Sequence, residues 1–242
     1  MIPLRGEVER TRRPWLTMGL IGINTLVFFI FAGLDPDQQR AVIQTFGAVA
    51  ADQGEAFSEN PWAIWVWLLP LSTSMFLHGG FLHLGVNMLF LWVFGEGVES
   101  RLGRVKYFLF YLGAGVGAAQ VQIMFMPDSP IPMIGASGAV AGVLAMYALM
   151  YPRARLLVVF PIIVYPVFFT VPAMVYIVLW FIYQIASGLI FELRGLGEGG
   201  GVAWWAHAGG FMSGLFCITL FARDTLASRH EDEEKMRGID ER

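Results

Sequence analysis

The segment FLHLGVNMLFLWVFG, residues 81–95, carries no charged side chain, and its most polar groups are His83 and Asn87. A run this apolar is typical of a helix in lipid, where about 20 apolar residues cross the hydrocarbon core. His83 and Asn87 are four residues apart and therefore share one face of such a helix. Because polar side chains are costly inside a membrane, each is a candidate functional residue. The segment predicts a membrane helix with a polar face.

The rest of the chain has the same character. Hydrophobic residues make up 56% of the sequence and charged residues 14%, whereas soluble domains have roughly 25% charged residues. Six regions lack Asp, Glu, Lys and Arg, and they are residues 14–34, 61–95, 107–127, 129–152, 156–191 and 199–222. The composition predicts an all-α integral membrane protein with six transmembrane helices.

Two of these regions are longer than one span. In the second, Pro70 and the hydroxyl residues after it interrupt the front half, so the helix is expected at about 81–95. Residues 61–77 are then expected to form a membrane-embedded or interfacial outer loop. In the fifth region three prolines break the front half, and the span is expected at about 171–191.

Basic residues fall on alternate sides of these spans. They cluster before the first span and after the second, fourth and sixth, at Arg5, Arg10, Arg12, Arg13, Arg101, Arg104, Lys106, Arg153, Arg155, Arg223, Arg229, Lys235, Arg237 and Arg242. The other three connections are acidic or nearly neutral. Since cytoplasmic loops carry an excess of Lys and Arg, both termini are expected in the cytoplasm.

The expected organisation is a cytoplasmic N-terminal segment (residues 1–13), one six-helix membrane domain (14–223) and a charged cytoplasmic tail (224–242). The net charge is -3 and the basic residues form short clusters between apolar runs. No continuous basic face is available to follow a phosphate backbone. Nucleic acid is therefore not an expected partner, whereas the lipid bilayer is.

Four polar residues are predicted to lie at one depth. In the expected topology the second, fourth and sixth spans run in the same direction, and His83, Asn87, Ser137 and His207 lie near their outer starts. Hydrogen bonds that merely join helices are the alternative explanation for such residues. Residues that only join helices by hydrogen bonds would have no reason to lie at the same depth in the membrane. The common depth of these four residues therefore favours a functional site.

Small residues accompany two of these groups. Glycines suited to close helix packing occur in the fourth and sixth spans, at Gly135, Gly138, Gly142, Gly210 and Gly214. The pairs at four-residue spacing are typical of helices whose backbones approach closely. Such packing would bring the Ser137 hydroxyl within hydrogen-bond reach of the His207 ring.

That contact would permit nucleophilic catalysis. A serine hydroxyl is a weak nucleophile until an adjacent base accepts its proton, and neutral imidazole can do so near pH 7. The Ser137 backbone N–H at a helix N-terminus, with His83 and Asn87, could stabilise an oxyanion. With no carboxylate in the middle of any span, the catalytic unit is expected to be a Ser137–His207 dyad.

Other hydrolytic sites are disfavoured by missing motifs. The sequence has no His-Glu-x-x-His, no pair of intramembrane aspartates and no Gly-x-Ser-x-Gly, because residue 139 is Ala. The polar set is poor in metal ligands, so neither a metal nor a cofactor is expected. His78 is interpreted as an interfacial hydrogen-bonding residue.

Five motifs together resemble a known family. They are TSMFLHGGFLHLGVN (73–87), FGEGVE (94–99), GASG (135–138), YPRAR (151–155) and WWAHAGGF (204–211). In order and spacing the chain resembles bacterial members of the rhomboid intramembrane serine proteases, over nearly its whole length.

The resemblance implies a Ser137–His207 dyad, with His83 and Asn87 in the oxyanion site. It also implies a six-helix core in a bacterial cell membrane, a water-filled site open to the outside, and cleavage of transmembrane or juxtamembrane segments. The fifth span, with bulky residues such as Tyr176, Trp180 and Phe181, would be a lateral gate.

The sequence departs from the family pattern at two places. Position 141 is Ala where well-known members have an aromatic residue on the catalytic histidine, and Leu69-Pro70 stands where some have Trp-Arg. Two other functions stay open. One is an inactive relative that binds membrane proteins, because fold alone does not prove activity. The other is a transporter or channel that uses the polar cluster as a binding site.

Overall fold

The computed structural model describes residues 1–8, 13–162, 165–194 and 202–221. The predicted tail (224–242) lies outside these residues, as do Arg10 and Arg12. The described helices are α1 (Trp15–Ala32), α2 (Pro36–Phe46), α3 (Ala50–Glu59), α4 (Ile64–Thr73), α5 (Phe81–Phe90), α6 (Glu96–Leu102), α7 (Arg104–Phe125), α8 (Ser137–Met150), α9 (Ala173–Leu193) and α10 (Trp204–Phe221). The strands are β1 (Ile2–Gly6), β2 (Ala48–Val49), β3 (Pro132–Met133), β4 (Arg155–Ile162) and β5 (Tyr165–Pro172).

Four helical segments are long and apolar enough to cross a membrane. They are α1, the continuous segment Phe81–Leu102, α7 and α9, with 18 to 22 residues each, or about 27 to 33 Å at 1.5 Å per residue. The other two expected spans contain α8, with 14 residues, and α10, with 18. Each of the six uncharged regions therefore contains a helix of the bundle.

The second span extends beyond its predicted end. A π-helical turn at Leu91–Gly95 joins α5 to α6, and the helix continues to Leu102 before Gly103 adopts a φ of 74°. The prediction was wrong because Glu96 and Glu99 are buried instead of marking a membrane surface. Glu96 and Glu99 thus lie inside the helix, which ends only at Leu102.

Glu99 is buried because it caps another helix. Its carboxylate accepts hydrogen bonds from the backbone N–H groups of Leu16 and Thr17, at 2.9 and 2.7 Å, and from the Thr17 hydroxyl at 2.8 Å. The first N–H groups of a helix have no partner within the helix, and Pro14 before α1 supplies no side-chain cap. Glu99 therefore fixes α1 to the second span.

Helix α8 forms the centre of the bundle, and nearly every one of its residues is buried. It contacts α7 on one side and α10 on another. A Cβ atom at Gly142 would lie 2.6 Å from Ala114 Cβ on α7 and 3.1 Å from the Gly210 carbonyl oxygen on α10. A Cβ at Gly210 or Gly214 would overlap the backbone of Gly138 or Gly142, respectively. The small residues thus permit backbone contact between these helices.

The fold is mostly helical, as predicted, but it also contains a three-stranded antiparallel sheet that the sequence did not predict. Strands β4 and β5 form a hairpin in which Arg155 pairs with Pro172 and Ile162 with Tyr165, and β1 pairs with the other edge of β4. The apolar run before the fifth span contains several prolines, which disfavour a helix, and β-branched and aromatic residues, which favour strands. The N-terminal segment, for which no strand was predicted, supplies β1.

The hairpin exposes mainly apolar side chains, among them Phe160, Tyr165, Val167, Phe168 and Phe169. Its β4 side is more protected, since Leu156 and Val158 are buried against the bundle. Because the chain has long apolar helices, the composition of the exposed face is that of a surface in contact with lipid.

The predicted outer loop contains ordered structure. Residues 64–73 form α4, with Pro70 inside the helix, and Ser74–Phe76 form a 3-10 turn. Trp62 and Trp65 are almost fully exposed. Just before this region, β2 pairs with β3, the short strand that precedes α8. The connection between α1 and α4 therefore supports the loop that leads to Ser137.

Candidate active site

Ser137 is the first residue of α8, and it is half-buried. Gly135, two residues earlier, has a φ of 119°, a conformation that residues with a Cβ rarely adopt. Its N–H donates a hydrogen bond to the Ser74 carbonyl oxygen at 2.9 Å. No side chain caps the start of α8, so the helix presents its positive end and free N–H groups around Ser137.

His83 and Asn87 lie one turn apart on α5, as their spacing predicts, and the Asn87 side-chain Nδ2 donates to the His83 carbonyl oxygen at 3.0 Å. Both side chains approach the loop before Ser137. A Cβ atom at Gly135 would lie 2.5 Å from His83 Nε2 and 3.8 Å from Asn87 Nδ2. The absence of a side chain at Gly135 thus leaves these two polar groups next to the start of α8.

His207 lies in the first turn of α10, which packs against α8. A Cβ at Gly138 would be 3.6 Å from the Ala206 carbonyl oxygen. Ser137 directly precedes Gly138 in the chain, and His207 directly follows Ala206. Among the contacts of the described residues, none is a direct hydrogen bond between the Ser137 hydroxyl and the His207 ring. The structure therefore brings the two residues to adjacent positions on touching helices without joining them.

The His207 ring is held from α9. Its Nδ1 lies 2.7 Å from Oε1 of Gln184, a residue with only 4% of its surface exposed. Trp180 lies beside the ring with centroids 6.0 Å apart and a 36° tilt, and Trp204 is edge-on at 6.3 Å. Position 141, where the family pattern has an aromatic residue on this ring, is Ala here. Gln184, Trp180 and Trp204 contact the ring instead.

Sequence reasoning missed Gln184 and also Gln122. The side chain of Gln122 on α7 accepts a hydrogen bond from the Ala206 N–H at 3.0 Å and so satisfies the first turn of α10. Both are uncharged polar residues inside apolar helices, which is the signal that singled out Asn87. Applying that criterion to glutamine as well as to histidine and asparagine would have found them.

His78 hydrogen-bonds as predicted, but from inside the protein, where it is fully buried. Its Nε2 accepts a hydrogen bond from the Ala136 N–H at 3.4 Å, and its ring meets the His83 ring edge-on at 5.0 Å. Burial, and next the nearby His83 ring, lower the pKa of His78 to about 4. A neutral ring suits the role of acceptor for the loop before Ser137.

Comparison with known proteins identifies the family. The sequence model of the rhomboid domain matches residues 63–224, which include α4 through α10 and every residue of the candidate site. The chain therefore belongs to the rhomboid family, and the resemblance stated from its motifs is confirmed. Together with the apolar helices, this makes the chain an integral membrane protein.

Curated relatives include proteins from bacteria and from mitochondria. Rhomboid protease GluP of Bacillus subtilis is 33% identical over 60% of this chain and 26% of its own length. Presenilin-associated rhomboid-like protein, mitochondrial, of Mus musculus is 30% identical over 83% of this chain and 47% of its own. Rhomboid protein 1, mitochondrial, of Saccharomyces cerevisiae is 35% identical over 37% of this chain and 27% of its own. The chain thus spans between about a quarter and a half of these relatives.

Proposed function

We propose that this chain is an intramembrane serine endopeptidase that cleaves transmembrane or juxtamembrane segments of membrane proteins. The observation that carries the proposal is the arrangement at the start of α8. Ser137 occupies the uncapped amino end of that helix, His207 lies on the helix packed against it, and His83 and Asn87 approach from α5. Membership of the rhomboid family supports the same reaction class.

In the proposed reaction, His207 Nε2 accepts the Ser137 hydroxyl proton while the oxygen attacks the carbonyl carbon of the substrate peptide bond. The protonated ring then donates its proton to the leaving amine, which releases an acyl-enzyme. Water, activated by the same ring, hydrolyses the ester and restores Ser137. This sequence is the one a serine–histidine pair supports in other hydrolases.

The oxyanion of the tetrahedral intermediate requires hydrogen-bond donors. We propose the Ser137 N–H, the Asn87 side-chain amide and the His83 ring, helped by the positive end of α8. Asn87 now donates to a carbonyl of its own helix, so it would turn toward the oxyanion as negative charge develops. A donor that gains a charged partner in the transition state contributes more to rate than to substrate binding.

The proposed catalytic unit is a Ser137–His207 dyad that includes no carboxylate. Glu99, the acidic residue whose bonds cap α1, lies about 18 Å beyond Asn87 along the second span at 1.5 Å per residue. Its bonding capacity is used by Leu16 and Thr17. It therefore cannot orient His207.

The proposed topology has six spans, both termini in the cytoplasm and the site near the outer surface of a bacterial cell membrane. The alternation of basic and acidic connections supports it. Two fusions to the C-terminus test this topology. Alkaline phosphatase is active only outside the cytoplasm, and a fluorescent protein should fluoresce if the C-terminus is in the cytoplasm. Phosphatase activity of the C-terminal fusion in a bacterial host would contradict the proposed orientation.

The activity is tested by reconstituting the purified chain in liposomes with a tagged single-span protein whose transmembrane segment contains glycines and small residues. Wild-type protein should release a fragment cut within or beside that segment, and Ser137→Ala and His207→Ala should each reduce the rate to background. Equal cleavage by Ser137→Ala would refute the proposal. A folded wild type with no cleavage of any of several such substrates would favour the inactive-relative alternative.

A further inference from the structure

A histidine serves as a general base only if the nitrogen facing the nucleophile carries no proton. The other ring nitrogen then holds the proton, and the group that accepts this N–H fixes the tautomer and the ring orientation. In a serine protease triad that group is a buried aspartate. In this chain the group 2.7 Å from His207 Nδ1 is the side-chain oxygen of Gln184.

We propose that Gln184 is a positioning residue for His207. Its Oε1 accepts the Nδ1–H hydrogen bond, which leaves Nε2 unprotonated and available to the Ser137 hydroxyl. The inference rests on the proposed function, because it assigns the base of that reaction a third, uncharged partner. Gln184 itself touches neither substrate nor reacting atoms.

The chemistry of the location explains an amide in place of a carboxylate. Gln184 is buried in the middle of α9, an apolar helix without charged residues before Glu192. A carboxylate there would lose its hydration, and a neutral imidazole would repay little of that cost. An amide oxygen accepts the same hydrogen bond without a charge. The amide therefore orients the ring at a smaller desolvation cost.

One face of α9 lies against the His207 ring. Trp180, Gln184 and Gly188 occur at four-residue spacing, so they lie in a row along that helix. Trp180 packs on the ring, and a Cβ at Gly188 would lie 3.2 Å from Cβ of Trp204, whose indole meets the imidazole edge-on. The row thus contacts the ring through Trp180 and Gln184, and it contacts Trp204 through Gly188.

The identity of the acceptor matters as well as its shape. If the amide nitrogen of Gln184 faced the ring, it would donate to Nδ1 and require the proton on Nε2, leaving no base for Ser137. The proposal therefore predicts different results for Gln184→Leu, which removes the acceptor, and Gln184→Glu, which keeps an acceptor oxygen of the same shape.

Kinetic measurements on the full-length protein in liposomes test this difference. Gln184→Leu should lower kcat about 10- to 100-fold with little change in KM, by analogy with removal of a group that orients a metal-bound histidine. Gln184→Glu should retain more activity than Gln184→Leu. The acidic limb of its pH–rate profile should move to higher pH, because a carboxylate stabilises the protonated ring.

Gln122→Leu is the matched control. It removes another buried glutamine that supports the same turn of α10, but through the Ala206 backbone instead of the ring. We expect it to lower thermal stability and to leave the pH–rate profile unchanged. A shifted profile in Gln122→Leu equal to that of Gln184→Glu would mean that general loosening of α10 explains both, which would overturn the proposal.

A spectroscopic measurement separates this inference from the activity. The chain has four histidines, so ¹⁵N-histidine NMR in detergent, with His207→Ala to assign the signal, reports which ring nitrogen of His207 carries the proton. Wild-type protein should show a protonated, hydrogen-bonded Nδ1, and Gln184→Leu should lose that signal. A wild-type ring protonated at Nε2 would overturn the proposal even if the chain is an active protease. Absence of protease activity with a protonated Nδ1 would refute the proposed function alone.

Discussion

The Gly135 backbone faces the His83 imidazole so closely that a Cβ atom on the glycine would lie 2.5 Å from His83 Nε2. The same glycine has a φ of 119° and donates its N–H to Ser74. The backbone conformation and the lack of space for a Cβ thus both require glycine at this point, and the N–H bond to Ser74 holds the loop in place. The loop before Ser137 is consequently fixed against α5, the helix that carries the proposed oxyanion donors.

Gly135→Ala should reduce both stability and activity. The backbone conformation costs a residue with a Cβ about 1–3 kcal/mol, and the new methyl group would displace the His83 ring. We expect at least a 10-fold lower kcat and a lower unfolding temperature in detergent. The matched control is Gly113→Ala on α7, where a Cβ would meet nothing within 4 Å. If the two variants behave alike, Gly135 has no special role.

Asn87→Ala should lower kcat by about 10- to 1,000-fold, up to the full effect of losing one oxyanion donor, while KM changes little. Asn24→Ala provides the control, because Asn24 on α1 makes the same bond to the carbonyl four residues earlier, Leu20, at 2.8 Å. That variant should affect stability without a specific loss of turnover. Wild-type turnover in Asn87→Ala would remove this residue from the proposed site.

Glu99→Leu should destabilise the protein by about 3 kcal/mol, since two backbone N–H groups and a hydroxyl would lose a charged acceptor. Thermal unfolding in detergent measures the effect. Glu59→Leu, on the exposed end of α3, should unfold within about 0.5 kcal/mol of the wild type. An unchanged unfolding temperature in Glu99→Leu would show that the cap of α1 contributes nothing to stability.

The β4–β5 hairpin should contact lipid through its exposed aromatic face. Cys217 is the only cysteine, so Phe168→Cys combined with Cys217→Ser gives one attachment point for a spin label in liposomes. We expect the label to be more accessible to oxygen than to a water-soluble nickel reagent, and a label at Glu59→Cys to show the reverse. Preferential accessibility to nickel at position 168 would place the hairpin in water.

Much of the membrane fold follows from the sequence, because its decisive property is the absence of charge over the length of a helix. Each of the six uncharged regions holds a helix, and the convergence of Ser137, His83 and Asn87 could be anticipated from helix direction and spacing. The hairpin could not, since an apolar run with prolines gives no information about which distant segment it pairs with. Its partner β1 (Ile2–Gly6) is far from β4 (Arg155–Ile162) in the sequence.

The remaining failures concern residues whose role is defined by a distant partner. Glu99 resembles a charge at a membrane surface until α1 is placed against it. Gln184 stands out in the sequence only as a polar residue inside an apolar helix, and its contact with the His207 ring becomes visible only when α9 and α10 are adjacent. Local sequence patterns single out candidate reactive groups, whereas the residues that contact them are visible only in the tertiary structure.

The most direct measurement of the central claim is mass spectrometry of the detergent-solubilised protein after treatment with a fluorophosphonate, which reacts with activated serines. The proposed mechanism predicts one adduct per chain, located at Ser137 by peptide mapping, formed at a strongly reduced rate in His207→Ala and absent in Ser137→Ala. An adduct on another serine, or equal labelling of Ser137 in His207→Ala, would contradict the Ser137–His207 dyad.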